Sequence, residues 1–234
     1  IKIDSLLLSR IDEGNQEKYL ESLKQQEEIS KIESQLKLDQ RLLHEKWQIR
    51  KNAFREVSEL INILNDQERS RINNNNINEQ EEEQTELEKQ ETFETFFHWL
   101  KYFISDSNVV ALIEGLNTFF IFIKFCNPDQ KNKALMQYFD ELEKLVAHNK
   151  TSIMELCTKI ILNACETKKF ANFVINEILR KLNSATNKLL NFFNKIIEDL
   201  LNFENGNRNI INNITENYVR LLLEKAVFNY NSKT

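Results

Sequence analysis

The chain of 234 residues, 41% of them hydrophobic, is long enough for one or two ordinary domains or for one array of helical repeats. One Pro and three Gly leave too little turn chemistry for hairpins of strands, so the chain reads as all-α, and sixteen Phe with two Trp supply a thin, elongated core. A formal net charge of -5 argues against a general nucleic-acid surface, which needs concentrated Lys and Arg.

Residues 1–35 carry Ile3, Leu7 and Ile11, then Leu20 and Leu23, then Ile29 and Ile32, at helical spacing in a narrow stripe. Gly14-Asn15 is expected to divide two helical pieces, since Gly costs about 1 kcal/mol in a helix interior. Sustained heptads are absent, so this N-terminal extension is expected to pack along the rest of the chain rather than to form a coiled coil. A short helix ending near Glu45 then gives way, at Trp47, to a longer one over 48–64 with Ala53, Val57, Leu60, Ile61 and Leu64 on its inner face. From 66 to 91 the run is Asn-rich and acidic, and it buries too little surface to offset the entropy of ordering its backbone. An inserted flexible loop is expected there, and a solvated linker is the stronger reading than a dock for a basic partner such as a histone.

Helical order is expected to resume at Thr92, in two amphipathic helices divided by Ser105-Asp106-Ser107-Asn108, residue types that cap helix N-termini. After the turn Asn127-Pro128-Asp129 a third hairpin is expected, 134–147 and 151–165 around His148-Asn149-Lys150. A fourth follows, from 170–182 and 187–203. Units beginning near 92, 133 and 170 recur at about 40 residues, the period of HEAT repeats, so the expected architecture is a HEAT-repeat α-solenoid. Gly206 supplies the next stop signal. A last helix over 208–228 would be the first half of a fifth, incomplete repeat.

Little in the chain supports catalysis. His44, His98 and His148 fall in separate repeats without His-Glu-x-x-His or mixed Cys/His spacing, and no Gly-rich phosphate loop or Gly-x-Ser-x-Gly elbow occurs. No metal site, no cofactor and no enzyme activity is expected. Cys126, Cys157 and Cys165 have no Cys-x-x-Cys partner and read as small buried residues of a reducing compartment. The longest apolar runs fall far short of the roughly 20 residues of a membrane helix. The absence of an initial Met is read as that of a fragment of a longer chain.

The stretch 36–57, LKLDQRLLHEKWQIRKNAFREV, closely resembles the opening of TOG domains, especially the first TOG domain of the multi-TOG microtubule polymerases. The resemblance rests on the spacing Leu-x-Leu-x-x-Arg-Leu-x-x-x-x-Trp-x-x-Arg-x-x-Ala-Phe-x-x-Val. The element Phe-x-Ser-Asp-Ser-Asn-x-Val at 103–110, followed by Gly115-Leu116, resembles their second repeat in the right order. What this implies is one TOG-like domain over 36–234 whose turns within each repeat line one edge and bind the α/β-tubulin heterodimer or the microtubule. Trp47 and the loop of Ser107, Asn108, Val109 and Val110 would then contact β-tubulin, Lys150, Lys188 and Lys233 would address α-tubulin, and Lys46 and Arg50 beside Trp47 would also bind tubulin. Trp47 is expected to be solvent-accessible on that edge, whereas Trp99 is expected in the core and His98 as a packed or interfacial ring. The chain departs from the family pattern in its half fifth repeat, and in Gln48, Asn187 and Asn191 where polymerase-type domains place Lys or Arg.

The implied setting is the cytoplasm and the microtubule cytoskeleton, spindle or cilium, in a multi-domain chain, with neither nucleic acid nor membrane as partner. Two other functions stay open at this point. One is a HEAT scaffold for another protein in a ciliary, spindle or kinetochore assembly; the other is a regulatory subunit of an enzyme.

Overall fold

The computed structural model describes residues 13–73, 79–165, 167–181 and 187–202. Among them are ten helices and no strand: α1 (Glu13–Gln35), α2 (Leu38–Leu42), α3 (Trp47–Asn73), α4 (Glu79–Ile104), α5 (Val109–Phe125), α6 (Pro128–Gln137), α7 (Phe139–Val146), α8 (Thr151–Ala164), α9 (Lys168–Lys181) and α10 (Asn187–Asn202). The expected half repeat over 208–228, the segment 1–12 and the turn 183–186 lie outside the described residues.

Each helical hairpin has one apolar face that only a neighbour can cover, and stacking follows from that need. The second helices of successive hairpins, α3, α5, α8 and α10, pack in one row, and α2, α4, α6 with α7, and α9 form the other. The two rows share one contiguous core, whose fully buried rings include Phe54, Phe93, Phe103, Phe119, Phe122, Phe170 and Phe193. Phe54 and Phe103 meet edge to face at 5.3 Å between α3 and α4.

Helices α3 and α5 run in the same direction, since Arg50 meets Asp106, Arg55 meets Glu114, and Thr118 Oγ1 lies 2.9 Å from the Phe54 carbonyl and 2.8 Å from Ser58 Oγ. Helix α5 also lies close against the end of α4. A Cβ added at Gly115 would fall 2.1 Å from the Phe103 carbonyl oxygen, so no larger side chain fits without moving backbone. That contact gives a physical reason for the Gly-Leu pair that follows the second turn.

The expectation of a flexible loop over 66–91 is corrected. The backbone is helical through Asn73 and again from Glu79, and only 74–78 fall outside the described residues. Burial was the wrong criterion for this run. Glu, Gln, Lys and Leu are strong helix formers, and each residue added to a helix already nucleated over 47–64 or 92–104 needs no new nucleus.

Smaller differences have similar causes. Gly14 and Asn15 stand in the first turn of α1, not between two described pieces. The first helix of the third repeat starts at Pro128, whose missing N–H is no loss at a first helical position. It breaks at Tyr138 into α6 and α7. Trp99 is half-buried against the core, and His98 is exposed.

Helix α1 packs on α3 through Ile29, which is buried, and through polar contacts in register: Lys46 Nζ to Glu28 at 2.5 Å and Asn52 Nδ2 to Glu33 at 2.9 Å. Those two pairs make α1 run in the same direction as α3. Upstream of Ile29 its described side chains are exposed or half-buried, Tyr19 and Leu20 among the exposed.

Candidate functional site

Three turns, 43–46, 105–108 and 147–150, each precede the second helix of a hairpin, α3, α5 and α8, and lie at one edge of the stack. Trp47 is the first residue of α3. It is half-buried, packed against the core, and it lines a cleft of about 740 Å³ together with Gln26, Ile29, Ser30 and Glu33 of α1 and Lys51 of its own helix. The indole is therefore partly accessible and partly flanked by the N-terminal helix. Lys46 beside it is held by Glu28 in an exposed ion pair.

Arg50 lies one turn into α3 and is committed to the fold. Its Nε and Nη2 donate to the two Asp106 carboxylate oxygens at 2.6 and 2.8 Å, and its Nη1 donates to the His44 and Glu45 carbonyls at 2.7 and 2.8 Å. The Asp106 side chain is 1% exposed and that of Arg50 17%. A planar guanidinium with five donors fits this set of four acceptors in a way that an ammonium does not. The hydrogen bonds it donates to Asp106 push the Arg50 guanidinium further up from its ordinary range, against the opposing effect of burial. One residue thus fixes the first turn against the second.

The second turn is locked from within. Asp106 Oδ1 also accepts the Asn108 N–H at 2.8 Å, and Asn108 Oδ1 accepts from the Val110 and Ala111 amides, capping α5. Ser107 is exposed, Val109 half-buried, and Val110 45% exposed. In the third turn Lys150 is exposed and occupies the N-cap position of α8. Lys188 lies in the first turn of α10, while its side chain and the whole of Lys233 lie outside the described residues.

Of the ten residues singled out in the sequence, seven, Lys46, Trp47, Arg50 and 107–110, are brought together on two adjoining turns, and Lys150 stands on the next. Two exposed apolar residues of this edge, Leu43 and Met154, escaped the sequence reading. Asp106 escaped as well, because its type suggested only a cap, and no local signal ties it to an arginine 56 residues earlier.

The profile of the XMAP215/Dis1/CLASP TOG domain matches residues 33–224. The chain belongs to that family. TOG domains are tubulin-binding helical-repeat domains, and the paired rows described above are the HEAT-like solenoid of this one. The match begins near the end of α1, so residues 13–32 precede the part that defines the TOG domain. No curated protein and no solved structure matches the chain.

Proposed function

We propose that this TOG domain binds the α/β-tubulin heterodimer through the edge formed by the 43–46, 105–108 and 147–150 turns, and that it serves in a microtubule polymerase or plus-end regulator. The observation that carries this is the family match together with an edge that pairs Trp47 with exposed Leu43, Val110 and Met154. Lys46, Trp47, Ser107, Asn108, Val109 and Val110 meet β-tubulin, Lys150, Lys188 and Lys233 address α-tubulin, and Arg50 acts by fixing the first two turns. Tubulin is acidic, so the lysines steer, whereas an indole desolvated at the contact contributes about 2 kcal/mol or more. Turns already locked by Arg50, Asp106 and Asn108 lose little entropy on docking. The likeness to a first TOG domain, the boundary at residue 36, the company of further TOG domains, and a place on spindle or ciliary microtubules are part of the same proposal.

Gel filtration with tubulin tests it. The wild type is expected to co-elute and Trp47→Ala to lose at least tenfold in affinity, the equivalent of roughly 1.4 kcal/mol. If the wild type itself elutes apart from tubulin, the reading is wrong. One observation favours a second reading, a scaffold for another protein: α1 flanks Trp47 and its Glu28 holds Lys46. In that case the wild type stays apart from tubulin while Trp47 keeps its half-covered environment.

A further inference from the structure

Two turns of the edge share an unusual local device. His44 Nδ1 accepts the Lys46 N–H at 3.1 Å, and His148 Nδ1 accepts the Lys150 N–H at 3.0 Å. The second turn has the same connection with a carboxylate, Asp106 Oδ1 accepting the Asn108 N–H at 2.8 Å. In each case the acceptor is two residues before the residue it holds, and a helix begins one residue later, at Trp47, Val109 and Thr151. The held residue is the N-cap: Lys46, Asn108 and Lys150 offer their carbonyls to the first helical amides, from Ile49, Leu112 and Ile153.

At that position Asn, Asp, Ser and Thr are preferred because their side chains accept a free helix amide, and Asn108 does so. A lysine has no acceptor to offer. Lys150 makes no side-chain cap bond. Two of three turns on one edge thus depart from the local rule, and both add an imidazole that secures the backbone from outside the helix. Such departures concentrate at functional sites.

We propose that His44 and His148 are positioning residues of the binding edge: each fixes the backbone of an N-cap lysine, His148 so that the exposed Lys150 side chain is directed to an acidic partner surface, and His44 so that the first turn holds Trp47 on the edge while Lys46 stays on Glu28. This deepens the tubulin reading and rests on it. Lys37 supplies an internal contrast. It too is an N-cap, but at the opposite end of the first hairpin, and its N–H is met by Gln40 instead of a histidine.

The test uses the full chain. Replacing both histidines, His44→Ala with His148→Ala, is expected to weaken tubulin binding roughly tenfold, while His44→Asn with His148→Asn, which restores a side-chain acceptor as Asp106 does, returns it to within about twofold. Lys150→Asn is expected to raise the thermal midpoint by about 2 °C through better capping, and yet to weaken binding. Lys37→Asn is expected to leave binding unchanged. Wild-type binding with no loss in the alanine pair, no rescue by asparagine, or an unaltered affinity in Lys150→Asn would each overturn the proposal. If wild type does not bind tubulin, the earlier reading fails, and amide exchange decides this one. The Lys46 and Lys150 amides exchange faster in the alanine pair than in wild type and the asparagine pair, and equal rates overturn it.

Discussion

Arg50 was legible as a residue of importance, but its role was not. The spacing from Trp47 placed it on the edge, and the resemblance assigned it to a partner; four hydrogen bonds to Asp106, His44 and Glu45 place it inside the fold. Removing one member of a nearly buried pair leaves the other charge uncompensated. Arg50→Ala is therefore expected to cost about 3 kcal/mol in urea unfolding, and Arg50→Lys to recover only part of it because an ammonium cannot span both carboxylate oxygens and both carbonyls. A loss below about 1 kcal/mol for the alanine variant would mean that the pair is solvated. Trp47 was read more closely: its place at the start of α3 followed from the sequence, whereas its flank against α1 needed the tertiary pairing of Glu28 and Glu33 with residues 18 and 19 positions away.

At the level of elements, the helical hairpins were legible from the 3.6-residue periodicity and from the caps, because both are local. Asn108 and Asn127 cap α5 and α6 as their types suggest, and Asn127 forms a reciprocal box with Gln130. The run 66–91 was misread because its polarity speaks to burial, while its Glu, Gln, Lys and Leu speak to helix; the second property governed the backbone. The α4–α5 approach was not legible beyond a bare glycine. With a Cβ at Gly115 directed into the Phe103 carbonyl, Gly115→Ala is expected to lower stability by about 1–3 kcal/mol, although the same change in an open helix would raise it. An unchanged urea midpoint would show that the two helices separate freely. Phe103 sits next to the second turn, so the variant is also expected to weaken partner binding.

Across the molecule, the solenoid arose from stacking of nearest neighbours, and its middle repeats carry three natural reporters. Cys126 and Cys157 are buried and Cys165 half-buried, and desolvation pushes each thiol up to about 12. At pH 8 only about one thiol in ten thousand would then be ionised. All three are expected to resist a thiol reagent in the native state and to become reactive together, in step with loss of helix signal in denaturant. Early reaction of one alone would show a repeat that opens by itself. The buried state of the first two followed from the sequence, since cysteines without partners in an apolar pattern are core residues.

Because α1 travels alongside α3 from Glu28 onward, its earlier turns continue past the line of hairpin tips. At about 1.5 Å per residue, the stretch from Glu28 back to Glu13 rises some 20 Å above that line. It is a post at one end of a shelf. Among the described residues that post stands at the first-repeat end, so a partner docked on the three turns would meet it on that side.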